Sequence, residues 1–355
     1  MTEPERPTEG PSALGRLLRH LDAQAHSPLV VVLLVLLLGG QVALMTPPGR
    51  TVPAMCDADV YAMAADNARH GKPLYPLTPQ GDPRTPEGGY LPFLYPPPFA
   101  AALAPLGNLP HQTTVNLFRW LALLGSVAYA LCLVRLAGRA ISLRSVLVAL
   151  NVLLLMPGFR FNLIAGQIEP LLWTMFALAI MGMGRGGLLA ASCLVKPFAA
   201  WPLALAAWRE PKRVLPWAAG VLIAGFLVGG LVCGWGSYAQ WLAYAPARMY
   251  RVAFYYENIS LGLAPLRLLG WTQLPAWGRP FLMGMYLLMP GLVAWAMRRR
   301  PAALQIGWVG AAAILFAPFS RMYYLPLLLV PIAAELGEAK TEERKNGKTE
   351  EQGTE

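Results

Sequence analysis

Long apolar runs alternate along the chain with short polar or basic connectors, and this alternation predicts an all-α bundle of membrane helices. Runs near the length of a membrane helix lie at 28–46, 115–137, 145–157, 170–184, 214–233, 278–297, 302–319 and 322–336. A full crossing normally needs about 20 residues, and local thinning of the bilayer can accommodate the shorter runs. The pattern therefore predicts a polytopic membrane protein.

Four further apolar pieces, at 98–109, 186–195, 198–208 and 259–270, are too short for a crossing. Non-helical backbone within the bilayer is tolerated only where protein surrounds it or where it lines a cavity. We therefore expect these pieces to be half-helices or re-entrant segments beside a cavity.

Composition agrees with this interpretation, because the chain is 56% hydrophobic and only 14% charged. A soluble domain carries about a quarter charged residues. The formal net charge of +10 is spread over short connectors instead of forming one basic stripe. We interpret it as a signal for orientation in the membrane and for affinity to anionic lipid, not to nucleic acid.

Three parts of the chain are expected. Residues 1–27 form a cytoplasmic leader, in which 11–24 is either an interfacial amphipathic helix or an unstructured segment. Residues 28–336 form one membrane-embedded domain, and the charged tail 337–355 is expected to be disordered. The protein is expected in the plasma membrane.

Orientation follows from the basic residues of the short connectors, which favour the cytoplasmic side. These residues are Arg16, Arg19, Arg135, Arg139, Arg144, Arg209, Lys212, Arg213 and Arg298–Arg300. The loops 47–97 and 234–258 are then outside, and the segment 186–208 must enter and leave the membrane on one side.

The outer loop 47–97 carries the most informative polar pattern. Asp57 and Asp59 stand just before a short predicted helix at 60–70, which Gly71 terminates. A carboxylate at this depth suits a general base that acts on a hydroxyl beside a lipid phosphate. Two carboxylates two residues apart point to different sides, so one base and one orienting or metal-binding group fit better than a dyad. The alternative is that both simply cap the helix.

A set of short motifs follows in order from about residue 50 to 332, and with it the chain resembles glycosyltransferase family 87, membrane mannosyltransferases of GT-C type. The motifs are Asp57-Ala58-Asp59-Val60-Tyr61, Gly71-Lys72-Pro73-Leu74-Tyr75, Tyr95-Pro96-Pro97-Pro98-Phe99, Ala104-Pro105-Leu106, Gly166-Gln167, Leu194-Val195-Lys196-Pro197-Phe198, Asn258-Ile259-Ser260 and Ala317-Pro318-Phe319-Ser320.

This resemblance implies a polyprenyl-phosphate sugar donor, often carrying mannose, and a lipid-linked or extracytoplasmic glycan acceptor. It places the general base at Asp57, with Asp59 as the second candidate. Two departures concern the donor and acceptor contacts. Glu169 stands where the family often has Asn, and Arg321-Met322-Tyr323-Tyr324 stands where it often has His.

Other polar residues of the outer side are candidates for substrate contacts. A phosphate suits Arg321, Arg251, Arg248, Arg160 and Lys196, although each arginine can equally snorkel to lipid headgroups and Lys196 can equally bind carbonyls freed at Pro197. A sugar or acceptor suits Tyr61, Tyr95, Gln167, Glu169 and Asn258, although aromatic residues also favour the bilayer interface and Glu169 can cap a helix.

An inverting transfer from a polyprenyl phosphate, with a divalent metal near Asp59 left open, is the leading hypothesis. The alternative is a transporter or flippase of a lipid-linked cell-envelope precursor. Such a protein would favour paired inverted halves with broken helices at matching positions, and no internal repeat is visible.

Overall fold

The computed structural model describes residues 28–45, 57–75, 93–251, 253–254 and 258–352, without the side chains of a few residues in these ranges. The predicted interfacial helix at 11–24 and the middle of the outer loop, 76–92, lie outside the described residues. So do the side chains of two phosphate-binding candidates, Arg248 and Arg251.

Helices make up nearly all of the described chain. They are α1 (Pro28–Met45), α2 (Asp57–Arg69), α3 (Pro97–Leu103), α4 (His111–Leu136), α5 (Leu143–Leu155), α6 (Pro157–Ala165), α7 (Glu169–Ile180), α8 (Arg185–Val195), α9 (Ala200–Arg209), α10 (Pro211–Cys233), α11 (Gly236–Arg251), α12 (Ala264–Leu268), α13 (Gly278–Ala296), α14 (Ala302–Leu315) and α15 (Leu329–Gln352). Short 3₁₀ segments lie at Ala104–Asn108, Pro197–Ala199, Leu261–Leu263 and Met322–Leu328. The described residues form no strand, so the prediction of an all-α chain is confirmed for them.

Proline sets many of the helix starts. Pro97, Pro157 and Pro211 each stand in the first turn of a helix, where the missing N–H costs nothing. At Pro157 the chain bends by 92° between α5 and α6. This stretch of the chain is thus divided into a helix of 13 residues and a shorter one of 9 residues.

Three helices are long and apolar enough to cross a membrane, and the bent pair α5–α6 makes up to four among the described residues. They are His111–Leu136, Pro211–Cys233 and Met322–Glu342. Shorter apolar helices lie at Val30–Gly40, Glu169–Ile180, Arg185–Val195 and Ala302–Leu315. The expectation of a polytopic membrane bundle is confirmed to this extent.

The helices α4 and α7 run side by side in the same direction. The hydroxyl of Thr174 donates to the carbonyl of Gly125 at 2.9 Å, and the rings of Tyr129 and Trp173 lie 5.5 Å apart. Further along both helices, Arg135 and Ile180 line the same cavity. A Cβ at Gly125 would come within 2.9 Å of the Leu171 nitrogen, so glycine permits this close approach.

The segment 185–209 forms a helical hairpin. Arg185, at the start of α8, pairs with Glu210, which follows α9, so the two feet of the hairpin touch. The turn between α8 and α9 lies at Lys196 and Pro197, at the opposite tip. Both feet of the hairpin therefore lie at the same end of the bundle.

The bundle therefore has two chemically different ends. The Asp57 end holds the start of α2, the start of α4, the start of α7, the hairpin tip and Arg321. The arginine end holds Arg135, the hairpin feet and Arg300, which pairs with Glu335 at 2.6 Å.

In the structure α15 continues past residue 337 to Gln352, in the segment for which the sequence predicts a disordered tail. Gly337 packs against the Leu136 carbonyl with no room for a Cβ, and Thr341 donates its hydroxyl to the Gly337 carbonyl at 2.9 Å. Acidic and basic residues alternate through this segment, which supports a helix through pairs one turn apart.

Candidate functional site

Asp57 is the first residue of α2 and stands partly buried at one end of the bundle. Its Oδ2 accepts a hydrogen bond of 2.6 Å from Nε2 of Gln167. The predicted helix at 60–70 in fact begins at Asp57 and buries its alanine-rich face against 104–108, where Gly107 leaves room for the Ala65 carbonyl. The carboxylate is thus fixed by a buried helix and by one amide.

Gly166 brings Gln167 to this position. Its φ is +63°, a conformation that favours glycine, and a Cβ there would lie 2.9 Å from the Cβ of Ala58. The backbone N–H of Gln167 donates to the Asn162 carbonyl at 2.9 Å, which closes α6. The Gly-Gln pair therefore places an amide directly beside the first turn of α2.

The pKa of Asp57 is raised from 3.8 to about 6, first by burial and second by the nearby Glu169 carboxylate. The Lys196 and Arg321 cations and the Gln167 hydrogen bond act in the opposite direction. Asp57 is therefore surrounded by one anion, two cations and one amide. A carboxylate with a raised pKa is a stronger proton acceptor near neutral pH than an ordinary aspartate.

Glu169 and Lys196 form a buried ion pair beside Asp57. Lys196 is 7% exposed, donates to the Tyr324 hydroxyl at 2.9 Å and lies 5.1 Å from the centre of the Tyr95 ring. The question of helix capping is resolved here, because Ile168 is the N-cap of α7 and Glu169 directs its carboxylate to Lys196.

Asn258 holds the segment that carries Arg321. Its Nδ2 donates to the carbonyls of Ala253 at 2.8 Å and Pro318 at 3.1 Å. Its Oδ1 accepts from the backbone N–H groups of Ser260 at 3.1 Å and Ser320 at 2.9 Å. This fully used amide has no group left for a sugar, so the expectation that Asn258 contacts substrate is corrected: it positions the chain next to Arg321.

The two cations at the site share an aromatic wall. The Tyr323 ring lies 5.6 Å from Lys196 Nζ and 5.7 Å from the Arg321 guanidinium carbon. Such contacts stabilise a cation without using its hydrogen-bond donors. Tyr323 and Tyr324 follow Arg321 closely in the sequence. They stand in the stretch where the family resemblance implies histidines.

Tyr61 is fully buried, and its hydroxyl shares a 2.7 Å hydrogen bond with that of Tyr95. Its ring packs on Phe99 and Phe118 with centroids 5.5 and 4.8 Å away. This placement makes Tyr61 part of the core beneath α2, a correction to the expectation of a sugar contact. Tyr95 is partly buried and faces Lys196.

Asp59 points away from this cluster, as expected for two carboxylates two residues apart. Its Oδ1 lies 2.9 Å from Nε2 of His111, the first residue of α4. The pair joins α2 to α4 and separates Asp59 from the groups around Asp57. Among the described residues, no three His, Cys, Asp or Glu side chains converge to form a metal site.

Arg160 lies on α6 and is partly buried, and no described hydrogen bond or ion pair joins its side chain to the cluster. His111, Tyr323 and Tyr324 contact these groups and were not among the candidates from the sequence. His111 opens a long apolar helix and could have been noticed as a polar residue at the boundary. No local signal distinguishes Tyr324 from the other interfacial tyrosines.

An apolar groove opens beside the cluster between α3, α8 and α10. It encloses about 350 Å³ and is lined by Pro98, Phe99, Ala102, Ala191, Leu194, Val195, Ala224, Gly225 and Val228. Val195 directly precedes Lys196, and Phe99 packs against Tyr61 and Tyr95. The groove is therefore separated from the charged cluster by residues that contact both, and it contains none of the charged side chains itself.

The model of glycosyltransferase family 87 matches residues 93–318 of the chain. This range contains Gln167, Glu169, Lys196 and Asn258, whereas Asp57 and Arg321 flank it. No curated protein and no solved structure matches the chain. The resemblance that the ordered motifs indicated is confirmed over these residues.

Proposed function

Since the chain belongs to glycosyltransferase family 87 and is therefore a membrane glycosyltransferase, we propose that it transfers a hexose, mannose in the first instance, from a polyprenyl phosphate to a lipid-linked or cell-envelope glycan. The observation that carries this proposal is the position of Asp57. Its carboxylate has a raised pKa and stands beside two cations and next to an apolar groove.

In the proposed reaction, Asp57 takes the proton of the acceptor hydroxyl. The acceptor oxygen forms a bond to the anomeric carbon of the donor from the face opposite the phosphate. The bond between that carbon and the phosphate oxygen breaks, and the polyprenyl phosphate leaves with the electron pair. The configuration at the anomeric carbon is thereby inverted, and the hydrogen bond from Gln167 holds the base in place.

The leaving phosphate needs a cation, and Arg321 is the best placed of the candidates. Its guanidinium lies 4.9 Å from the Phe319 ring and is close enough to Asp57 to lower its pKa. An arginine fork can bind two phosphate oxygens. Lys196 already neutralises Glu169, so Arg321 rather than Lys196 takes the phosphate in this scheme.

The apolar groove fits the prenyl chain of such a donor. All of its lining side chains are apolar, and Lys196 follows the last of them on α8. An isoprenoid placed there would be buried away from water, with its phosphate near the cations. The groove and the cluster thus match the two chemically different halves of a lipid-phosphate donor.

Orientation is proposed on the distribution of basic residues. The connectors that the sequence assigned to the cytoplasm meet at the arginine end of the bundle, and the Asp57 cluster lies at the other. The charge rule then places the cluster on the extracytoplasmic side of the plasma membrane.

The proposal is tested with purified protein in lipid vesicles, given prenyl-phosphate mannose of several chain lengths, nucleotide-linked mannose and a membrane glycolipid extract. We expect transfer from the prenyl donors alone, with longer chains preferred. Ala224→Phe fills the groove and should remove the preference for long chains, while Ala219→Phe, an exposed alanine on the same helix, should keep it. Transfer from the nucleotide sugar alone would contradict the proposed donor.

The reaction should also depend on pH through Asp57. A base acts only as the carboxylate, and its pKa in the folded protein is about 6 instead of 3.8. We therefore expect kcat/KM to be constant near neutral pH and to fall as the pH drops through about 6. The measurement is the initial rate at low donor concentration across this range. A fall only near the ordinary aspartate value would show that another group is titrating.

A further inference from the structure

Two buried oxygen atoms next to the proposed base accept no hydrogen bond from any described residue. They are Oε1 of Gln167 and Oε2 of Glu169, and both side chains are only 1% exposed. A buried acceptor without a donor destabilises the folded protein, so such atoms are uncommon unless a ligand supplies the missing hydrogen.

Both oxygens belong to groups that are otherwise held in place. The amide of Gln167 is fixed because its nitrogen donates to Asp57 at 2.6 Å. The carboxylate of Glu169 is fixed because its other oxygen binds Lys196, which Tyr324 holds from the far side. The two free acceptors are therefore preorganised, and both lie in the immediate surroundings of Asp57.

Charge indicates what kind of ligand they take. The formal charges of Asp57 and Glu169 are balanced by those of Lys196 and Arg321. A balanced cluster gives little attraction to a metal ion, and an anion would be repelled by two bare acceptor oxygens. Hydroxyl groups are neutral and donate hydrogen bonds, so they fit both the charge and the missing donors.

The distance of the two oxygens from Asp57 indicates which molecule supplies these hydroxyls. When the base takes the acceptor proton, the anomeric carbon under attack lies only one oxygen atom beyond that proton. The hydroxyls of the transferred sugar then lie within one side-chain length of Asp57. Gln167 donates to Asp57 at 2.6 Å and Glu169 acts on its pKa, so both stand at this distance.

We propose that Gln167 Oε1 and Glu169 Oε2 accept hydrogen bonds from two hydroxyls of the transferred sugar, so that this pair selects the donor sugar. Lys196 is then a positioning residue, which orients Glu169. This inference rests on the proposed function, and it assigns Gln167 and Glu169 to the sugar of the donor.

The test uses vesicle-reconstituted protein with prenyl-phosphate mannose and with each analogue that lacks a single sugar hydroxyl. Wild-type protein should lose about 10- to 100-fold in kcat/KM with at least one analogue, the effect of a hydrogen bond to a charged group. Glu169→Gln, which keeps an oxygen and removes its charge, should reduce that particular loss by about 10-fold. Gln167→Met should reduce the loss at a different hydroxyl.

Matched controls come from the arginine end. Gln305 is also buried with an oxygen that accepts no described hydrogen bond, and Glu210 is also paired with a basic residue. Gln305→Met and Glu210→Gln should show the wild-type losses with every analogue.

Each other outcome has one meaning. Equal kcat/KM for all analogues with wild-type protein overturns the inference without any variant. If each analogue lowers kcat/KM by the same factor in the variants as in wild-type protein, the inference is overturned as well. The two oxygens then do not bind those hydroxyls. No transfer by wild-type protein from the complete donor contradicts the proposed function itself, and the inference falls with it.

Discussion

The Asp57→Asn variant is expected to lose glycosyl transfer by about 10²- to 10⁴-fold, the usual contribution of a general base. Asparagine has nearly the same shape and can still accept the hydrogen bond from Gln167, but it cannot take a proton near neutral pH. The pKa of Asp57 is raised on folding, so its ionised form costs stability once the pH exceeds the ordinary value of 3.8. The apparent Tm at neutral pH should therefore be equal to or higher than that of wild-type protein.

Two further aspartates of α2 serve as controls for this prediction. Asp66 is exposed and pairs with Lys72 at 2.6 Å, so Asp66→Asn should retain wild-type activity. Asp59→Asn removes the negative charge that faces His111 and should lower the apparent Tm, while glycosyl transfer continues. Activity of Asp57→Asn near the wild-type rate, or a larger loss in Asp59→Asn, would move the base to Asp59 or elsewhere. The measurements are initial rates in vesicles and thermal unfolding in detergent.

Sequence patterns were sufficient for the helices because the causes of helix formation are local. Apolar runs and proline positions determine where α4, α7 and α10 begin and end within a few residues. The prediction of a disordered tail rests on a charge composition that resembles a solvated segment. Composition does not show the contact of Gly337 with the Leu136 carbonyl, because these two residues are far apart in the chain.

The candidate site was only partly predictable for the same reason. Asp57, Gln167, Glu169, Lys196 and Arg321 were all singled out as chemically capable residues, yet their partners depend on tertiary packing. The bond between Gln167 and Asp57 spans 110 positions. The contacts that occupy Asn258 and bury Tyr61 are of the same kind, so these two were assigned to substrate when they hold the scaffold.

The second large effect is expected at the buried ion pair. Lys196→Met leaves the Glu169 carboxylate, 1% exposed, without its cation, and breaking a buried pair in this way costs about 3–5 kcal/mol. The variant should show a markedly lower apparent Tm. Glu210→Gln at the more exposed pair with Arg185 should change the apparent Tm much less, because water still screens the remaining charge.

Neutralising both Lys196 and Glu169 distinguishes the effect of their charges on stability from the effect of their packing. The double variant Lys196→Met/Glu169→Gln contains no uncompensated buried charge, so most of the lost stability should return. The pH profile should follow the same cycle. Lys196 lowers and Glu169 raises the pKa of Asp57, so the acid limb should move to higher pH in Lys196→Met and return towards the wild-type position in the double variant. A double variant as unstable as Lys196→Met, with its acid limb equally displaced, would show that the lysine acts through packing and not through its charge on Glu169 and Asp57.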